Sequence, residues 1–142
     1  MRGRGLSIEQ LCAAVLSAAI TWTGGCGGSD RPKTIPISGS VTINGQAPGE
    51  SGRLHFQPTQ PAEGYAKRPA SGAYTPDGKY RVMSWEPDDG LVPGHYTVSL
   101  MPGDMNATKV PQKYQQGSTS GLEVDVPIDQ SGVTFDIDVR TN

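Results

Sequence analysis

The last strand-like stretch, "LEVDVPIDQSGVTFDIDV" at residues 122–139, alternates apolar and polar residues with a period of two. Extended strands point successive side chains to opposite faces, whereas a helix needs apolar residues three and four apart. No window of ten or more residues in the body of the chain carries that helical spacing, so the fold must be built from strands. Leu122, Val124, Val126 and Ile128 alternate with Glu123, Asp125 and Pro127. After turn residues at 129–132, Val133, Phe135, Ile137 and Val139 alternate with Thr134, Asp136 and Asp138. Two apolar-in, acidic-out strands separated by a short turn predict a hairpin with one buried face, and the outward carboxylates are expected to discourage edge-to-edge association.

The same two-residue period recurs upstream between turn signals. "IPISGSVTINGQ" supplies Ile37, Val41 and Ile43 and then Asn44-Gly45, the strongest short turn signal. "GRLHFQP" places Leu54 and Phe56 on one face and His55 on the other. "SGAYTPDGKYRVMS" reads as strands over 71–75 and 79–84 joined by Pro76-Asp77-Gly78. "PGHYTVSL" sets Tyr96, Val98 and Leu100 against His95, Thr97 and Ser99. Seven strands at intervals of about ten residues predict an all-β, antiparallel sandwich or open barrel, with longer loops near 57–70 and 102–119. The 19 glycines and 12 prolines fit a turn-rich β domain once the periodicity is seen. "SGSVTING" and "SGAYTPDG" look alike, but two copies are strand-plus-turn chemistry and not a solenoid.

The N-terminus reads differently. "MRGRGLSIEQ" carries Arg2 and Arg4, "LCAAVLSAAI" is a short apolar run, and "TWTGGC" ends on small residues before Cys26. That order is a secretory leader, and the run from Leu11 to Ile20 is about half the roughly 20 residues that a membrane span requires. Thr23-Gly24-Gly25-Cys26 resembles the lipobox of bacterial lipoproteins, with threonine where leucine is usual. Cleavage before Cys26 discards Cys12 and leaves one cysteine, which cannot form an internal disulfide. The expected roles of Cys26 are therefore a lipid attachment point or, as alternatives, a free thiol or an intermolecular disulfide. The layout that follows is a leader over 1–25, a lipidated cysteine and tether over 26–34, and one domain over 35–142.

Charge and chemistry narrow the function. The whole chain has a formal net charge of −2; removal of Arg2, Arg4 and Glu9 makes it −3. With no basic cluster beyond Lys67-Arg68, nucleic acid is excluded as an expected partner. His55 and His95 are the only histidines and lack the local spacing of a metal pair, so no metal or other cofactor is expected. "GSTSG" at 117–121 has threonine at the centre, reads as a loop, and is not a nucleophile elbow. "WEPDDGLVPG" is the most suggestive loop. Glu86, Asp88 and Asp89 offer oxygen ligands for Ca²⁺, and Trp85 offers a flat face for a sugar, although Pro, Asp and Gly are also ordinary turn residues. Asn106-Ala107-Thr108 fits a glycosylation sequon by chance.

In order along the chain, "SGSVTINGQAP", "GRLHFQP", "DGKYRV", "LVPGHYTVSL", "VPQKY" and "SGLEVDV…GVTFDIDV" resemble a family of small lipoproteins abundant in planctomycete bacteria. The mature part of that family is similar to carboxypeptidase-regulatory-like, or transthyretin-like, β-sandwich domains. The resemblance spans residues 35–140 and implies a seven-stranded prealbumin-like (Ig-like) sandwich tethered to the cell envelope, in the periplasm or at the outer membrane. It also implies a structural or interaction role without catalysis, with an envelope protein or polysaccharide as partner. Only Cys26 carries over as a functional residue; "DGKY" and "PGHY" match framework turns. A carbohydrate- or calcium-binding module and, last, a small hydrolase are the competing functional expectations.

Overall fold

The computed structural model describes residues 30–106 and 108–141, which form an all-β body. Its strands are β1 (Ile37–Ile43), β2 (Gly52–Pro61), β3 (Ala70–Tyr74), β4 (Lys79–Met83), β5 (Gly94–Pro102), β6 (Leu122–Val126), β7 (Val133–Thr134) and β8 (Ile137–Val139). They make one mixed sheet in the order β6-β5-β2-β3-β4-β1-β7, with β8 also beside β1. The 57–70 loop is shorter than expected because β2 runs on to Pro61, where its ladder with β5 shifts register between Pro58 and Gln60. Such a shift lets prolines sit within a paired strand.

The turns follow their sequences. Asn44 and Gly45 both adopt positive φ, 51° and 78°, and Ile43 and Gln46 exchange backbone hydrogen bonds across them, the geometry that Asn-Gly favours. Pro76-Asp77-Gly78 joins β3 to β4 as an antiparallel hairpin. Asp77 accepts from the Thr75 hydroxyl, which holds its carboxyl below the usual carboxylate range.

The predicted C-terminal hairpin does not form. β6 instead pairs antiparallel with β5, while β7 and β8 run parallel to β1, with Ile37 opposite Val133 and Ile43 opposite Val139. Period-two alternation fixes which face a strand buries but not which neighbour it pairs with, and the buried face is served equally by either arrangement. These parallel pairs also make the sheet mixed, not wholly antiparallel. Ile128, expected on the core face, lies past the end of β6 and is 48 % exposed.

The single strand expected over 133–139 is broken at Phe135-Asp136. There the Asp136 carboxylate accepts from the Ser40 backbone N–H and hydroxyl, both at 2.8 Å, so a side chain takes the place of a ladder carbonyl. Asp138 accepts from Thr42 Oγ1 and the Gly45 N–H, each at 2.9 Å, and these contacts hold its carboxyl low. Neither aspartate is a free outward charge, contrary to expectation, because β1 supplies donors to both.

The connection 127–132 carries the chain from one edge of the strand order to the other. Extended, it spans at most about 25 Å, whereas the edges of a flat seven-strand sheet stand about 29 Å apart. The sheet is therefore curled. Residues from both ends of the order, Val124 and Val126 with Ile137 and Val139, belong to one core cluster with Val41, Leu54, Phe56, Val82, Tyr96 and Leu100. Tyr80 lies over Gly39 and Gly72 and donates to the Phe135 carbonyl. A Cβ at Gly39 would stand 2.1 Å from that same carbonyl oxygen, so only glycine lets β1 and the 135–136 break approach so closely.

One short helical segment interrupts the strands. A 3-10 turn at Gln112–Gln115 and a helix at Gly117–Ser120 replace the loop expected at "GSTSG". Tyr114 is buried there, and the Ser120 hydroxyl donates to the Val98 carbonyl at 2.6 Å. Gly121, at φ 68°, ends the helix in the left-handed conformation. No helix among the described residues is long and apolar enough to cross a membrane.

Candidate functional site

The loop after β4 folds around Asp89. Its carboxylate accepts from the backbone N–H groups of Ser84 at 2.7 Å, Trp85 at 3.0 Å and Glu86 at 3.0 Å. The Ser84 hydroxyl donates to the Gly90 carbonyl at 2.6 Å. An aspartate that bonds nearby backbone donors is a turn-forming device, and Asp89 has both oxygens engaged in this way.

The other carboxylates are drawn apart. Glu86 pairs with Arg31 at 2.7 Å, and Asp88, at φ 64°, lies 3.6 Å from Arg81. Among the described residues, no group of three or more His, Cys, Asp and Glu side chains is placed to hold a metal ion. Trp85 is half-buried beneath the Arg68 guanidinium, 4.4 Å from its centroid, a cation–π arrangement. Arg68 also donates to the Ser84 carbonyl at 2.8 Å. The residues singled out from sequence thus share one loop, but each carboxylate has a separate partner.

This loop also receives the start of the folded chain. Ile35, fully buried, exchanges hydrogen bonds with Leu91 at 2.7 and 2.9 Å. Gly90, at φ 88°, makes room for it: a Cβ there would lie 1.9 Å from the Ile35 carbonyl oxygen. The acidic run is therefore the seat of the segment that enters the body.

The two histidines do not converge. His55 is opposite Ser99 in the β2–β5 ladder and His95 is opposite Gln60. His55 is thus four residues along β5 from His95, about 13 Å at strand rise. His95 has its own partners across β5–β6: its Nδ1 lies 2.6 Å from Asp125 Oδ1 and its Nε2 3.5 Å from Glu123 Oε2. The Asp125 hydrogen bond, with the two carboxylate charges, raises the imidazole above its ordinary value. Sequence reading did not find this cluster, because register alone brings 95 opposite 125.

A broad concavity lies elsewhere, on the outer face of β1, β4, β3 and β2. Its volume is about 920 Å³, and Arg53, Lys79 and Arg81 are its basic residues. Their outward parity is readable in "GRLHF" and "GKYRV", but their adjacency is not. Cys26 lies outside the described residues. Asn106 is exposed and its N–H bonds to Asp104 at 2.8 Å.

No protein-family model matches the chain, and no curated protein or solved structure shows significant similarity to it.

Proposed function

We propose that the mature chain is a non-catalytic, lipid-anchored module of the bacterial cell envelope, a transthyretin-like β-sandwich serving a structural or protein-interaction role. The observation that carries the reading is Cys26, alone after an apolar leader and preceded by Thr23-Gly24-Gly25. Acyl chains contribute about 0.8 kcal/mol per buried CH₂, and two or more give durable anchoring. The body begins close behind: Ile35 is the first fully buried residue among those described, so the anchor and the domain are separated by a short tether.

The sandwich reading draws its support from the curl that the 127–132 connection imposes and from the core shared by both ends of the sheet. The calcium or carbohydrate alternative at Trp85, Glu86, Asp88 and Asp89 has less support, since Asp89 serves the loop backbone and Glu86 and Asp88 face arginines.

The test is membrane partition of Cys26→Ser. Wild type is expected in the membrane fraction, with a diacylglyceryl mass on the N-terminal peptide, and the variant in the soluble fraction. Equal partition of the two, or an unmodified thiol in the mature wild type, overturns the anchor.

A further inference from the structure

On the solvent face of β2, β3, β4 and β1, the strand register makes a row of Arg53, Ala73, Arg81 and Ser38, with Ser40 opposite Lys79. Neighbouring strands are about 4.8 Å apart, so the Arg53 and Arg81 backbones stand about 10 Å apart with one alanine methyl between them. Between the basic residues the floor is made of small side chains, Ser38, Ser40, Ser71 and Ala73, with the exposed Met83 opposite Ser71. The 75–79 turn rises at one end of the trough, and Pro87 and Asp88 at the other.

Charge on this face is unevenly satisfied. Arg53 and Lys79 have no salt-bridge partner among the described residues. Asp77 is engaged by the Thr75 hydroxyl. Asp88 holds Arg81 only at 3.6 Å, with side chains 56 % and 70 % exposed. Exposed pairs of this kind contribute little, so an incoming carboxylate exchanges readily with Asp88.

We propose that this trough binds an acidic polysaccharide, with the carboxylates of uronate-type sugars seated between Arg53 and Arg81. Guanidinium groups take carboxylates in paired hydrogen bonds, and the Ser38 and Ser71 hydroxyls match sugar hydroxyls, whereas the Ser40 hydroxyl is held by the Asp136 carboxylate beyond β1. A peptide fits less well. β1 to β4 are paired on both sides, so no backbone edge is free to receive an added strand. A hydrated sugar chain keeps its remaining hydroxyls in water across an open trough. This site is independent of lipid anchoring at Cys26.

The experiment is interferometry of the full-length protein, in mild detergent, on immobilised polygalacturonate, with dextran and poly-L-glutamate as comparators. Wild type is expected to bind polygalacturonate and neither comparator, and to lose about ten-fold in affinity between low and 0.5 M salt. Arg53→Gln/Arg81→Gln is expected to lose at least about ten-fold, Arg53→Lys/Arg81→Lys much less, and Lys113→Gln nothing. Lys79→Gln, at the end of the trough, reads out the same surface if the double variant fails to fold, with an expected loss of about three-fold. No binding by wild type, equal binding to poly-L-glutamate, or full affinity in folded Arg-to-Gln or Lys79→Gln variants overturns the proposal.

Discussion

Tyr74 and Tyr96 are both essentially buried, 1 % exposed each, but their hydroxyls meet opposite fates. Tyr96 donates to the Val92 carbonyl at 2.7 Å. The Tyr74 hydroxyl is buried without a hydrogen-bond partner, close to the Gly52 backbone. Replacing either with phenylalanine removes one oxygen and leaves the ring. For Tyr96 the loss is a net hydrogen bond of about 0.5–1.5 kcal/mol, with a buried carbonyl left short of a donor. For Tyr74 the change removes a desolvated hydroxyl that gains nothing in return, and burial of such a group costs on the order of 1–3 kcal/mol. Near 4–8 °C of melting temperature per kcal/mol for a domain of about this size, Tyr96→Phe should melt several degrees below wild type and Tyr74→Phe at or above it. Differential scanning calorimetry of the two variants side by side decides the point. Equal losses in both would mean that Tyr74 has a partner in solution and that the hydrogen-bond accounting of this core is wrong. Alkali offers a companion readout. Burial pushes both phenols up to about 12, so the folded state keeps protons that the unfolded chain releases near 10. Stability should therefore fall as pH rises above 10, and Tyr96→Phe should soften that fall.

Two further predictions concern the ends of the body. Gly90→Ala forces a side chain into positive φ, at about 1–2 kcal/mol, and drives a methyl into the Ile35 carbonyl. Melting should drop by about 10 °C or more, with protease cleavage appearing near residues 30–36; a wild-type melt and digest would show that this segment is not seated on the loop. The His95–Asp125 pair contributes stability that is fully present below pH 6.5 and is lost as pH rises through the raised folded value. The pair is exposed, so the effect is about 0–1 kcal/mol; Asp125→Asn should flatten the slope of melting temperature from pH 5 to 9, and an unchanged slope would remove His95 as its source.

Sequence reading located most strands because inward and outward parity survives in each, from Leu54 and Phe56 to Val124 and Val126. It located turns wherever a backbone demand has a residue signature, as at Asn44-Gly45 and Gly78. It missed pairing, since alternation says which face is buried and is silent on the neighbour; hence the hairpin that is absent between β6 and β7. The acidic loop leaves both readings open in the sequence for a related reason. A carboxylate that binds its own backbone and one that awaits a ligand are the same letter, and only the three short N–H contacts to Asp89 separate them. The basic trough and the His95 cluster depend on register across several strands, which no local pattern encodes. Cys26 rests on the sequence alone.

The pairing of β8 with β1 joins residues about a hundred positions apart, Val41 to Ile137 and Ile43 to Val139. Along that flank β1 thus gains its neighbour only from residues far downstream of it. Loop closure over such a separation must precede any reward from the contact, which places this chain among slow, millisecond-to-second folders. Until β8 arrives, the Val41–Ile43 flank of β1 lacks the partner that it has in the folded sheet.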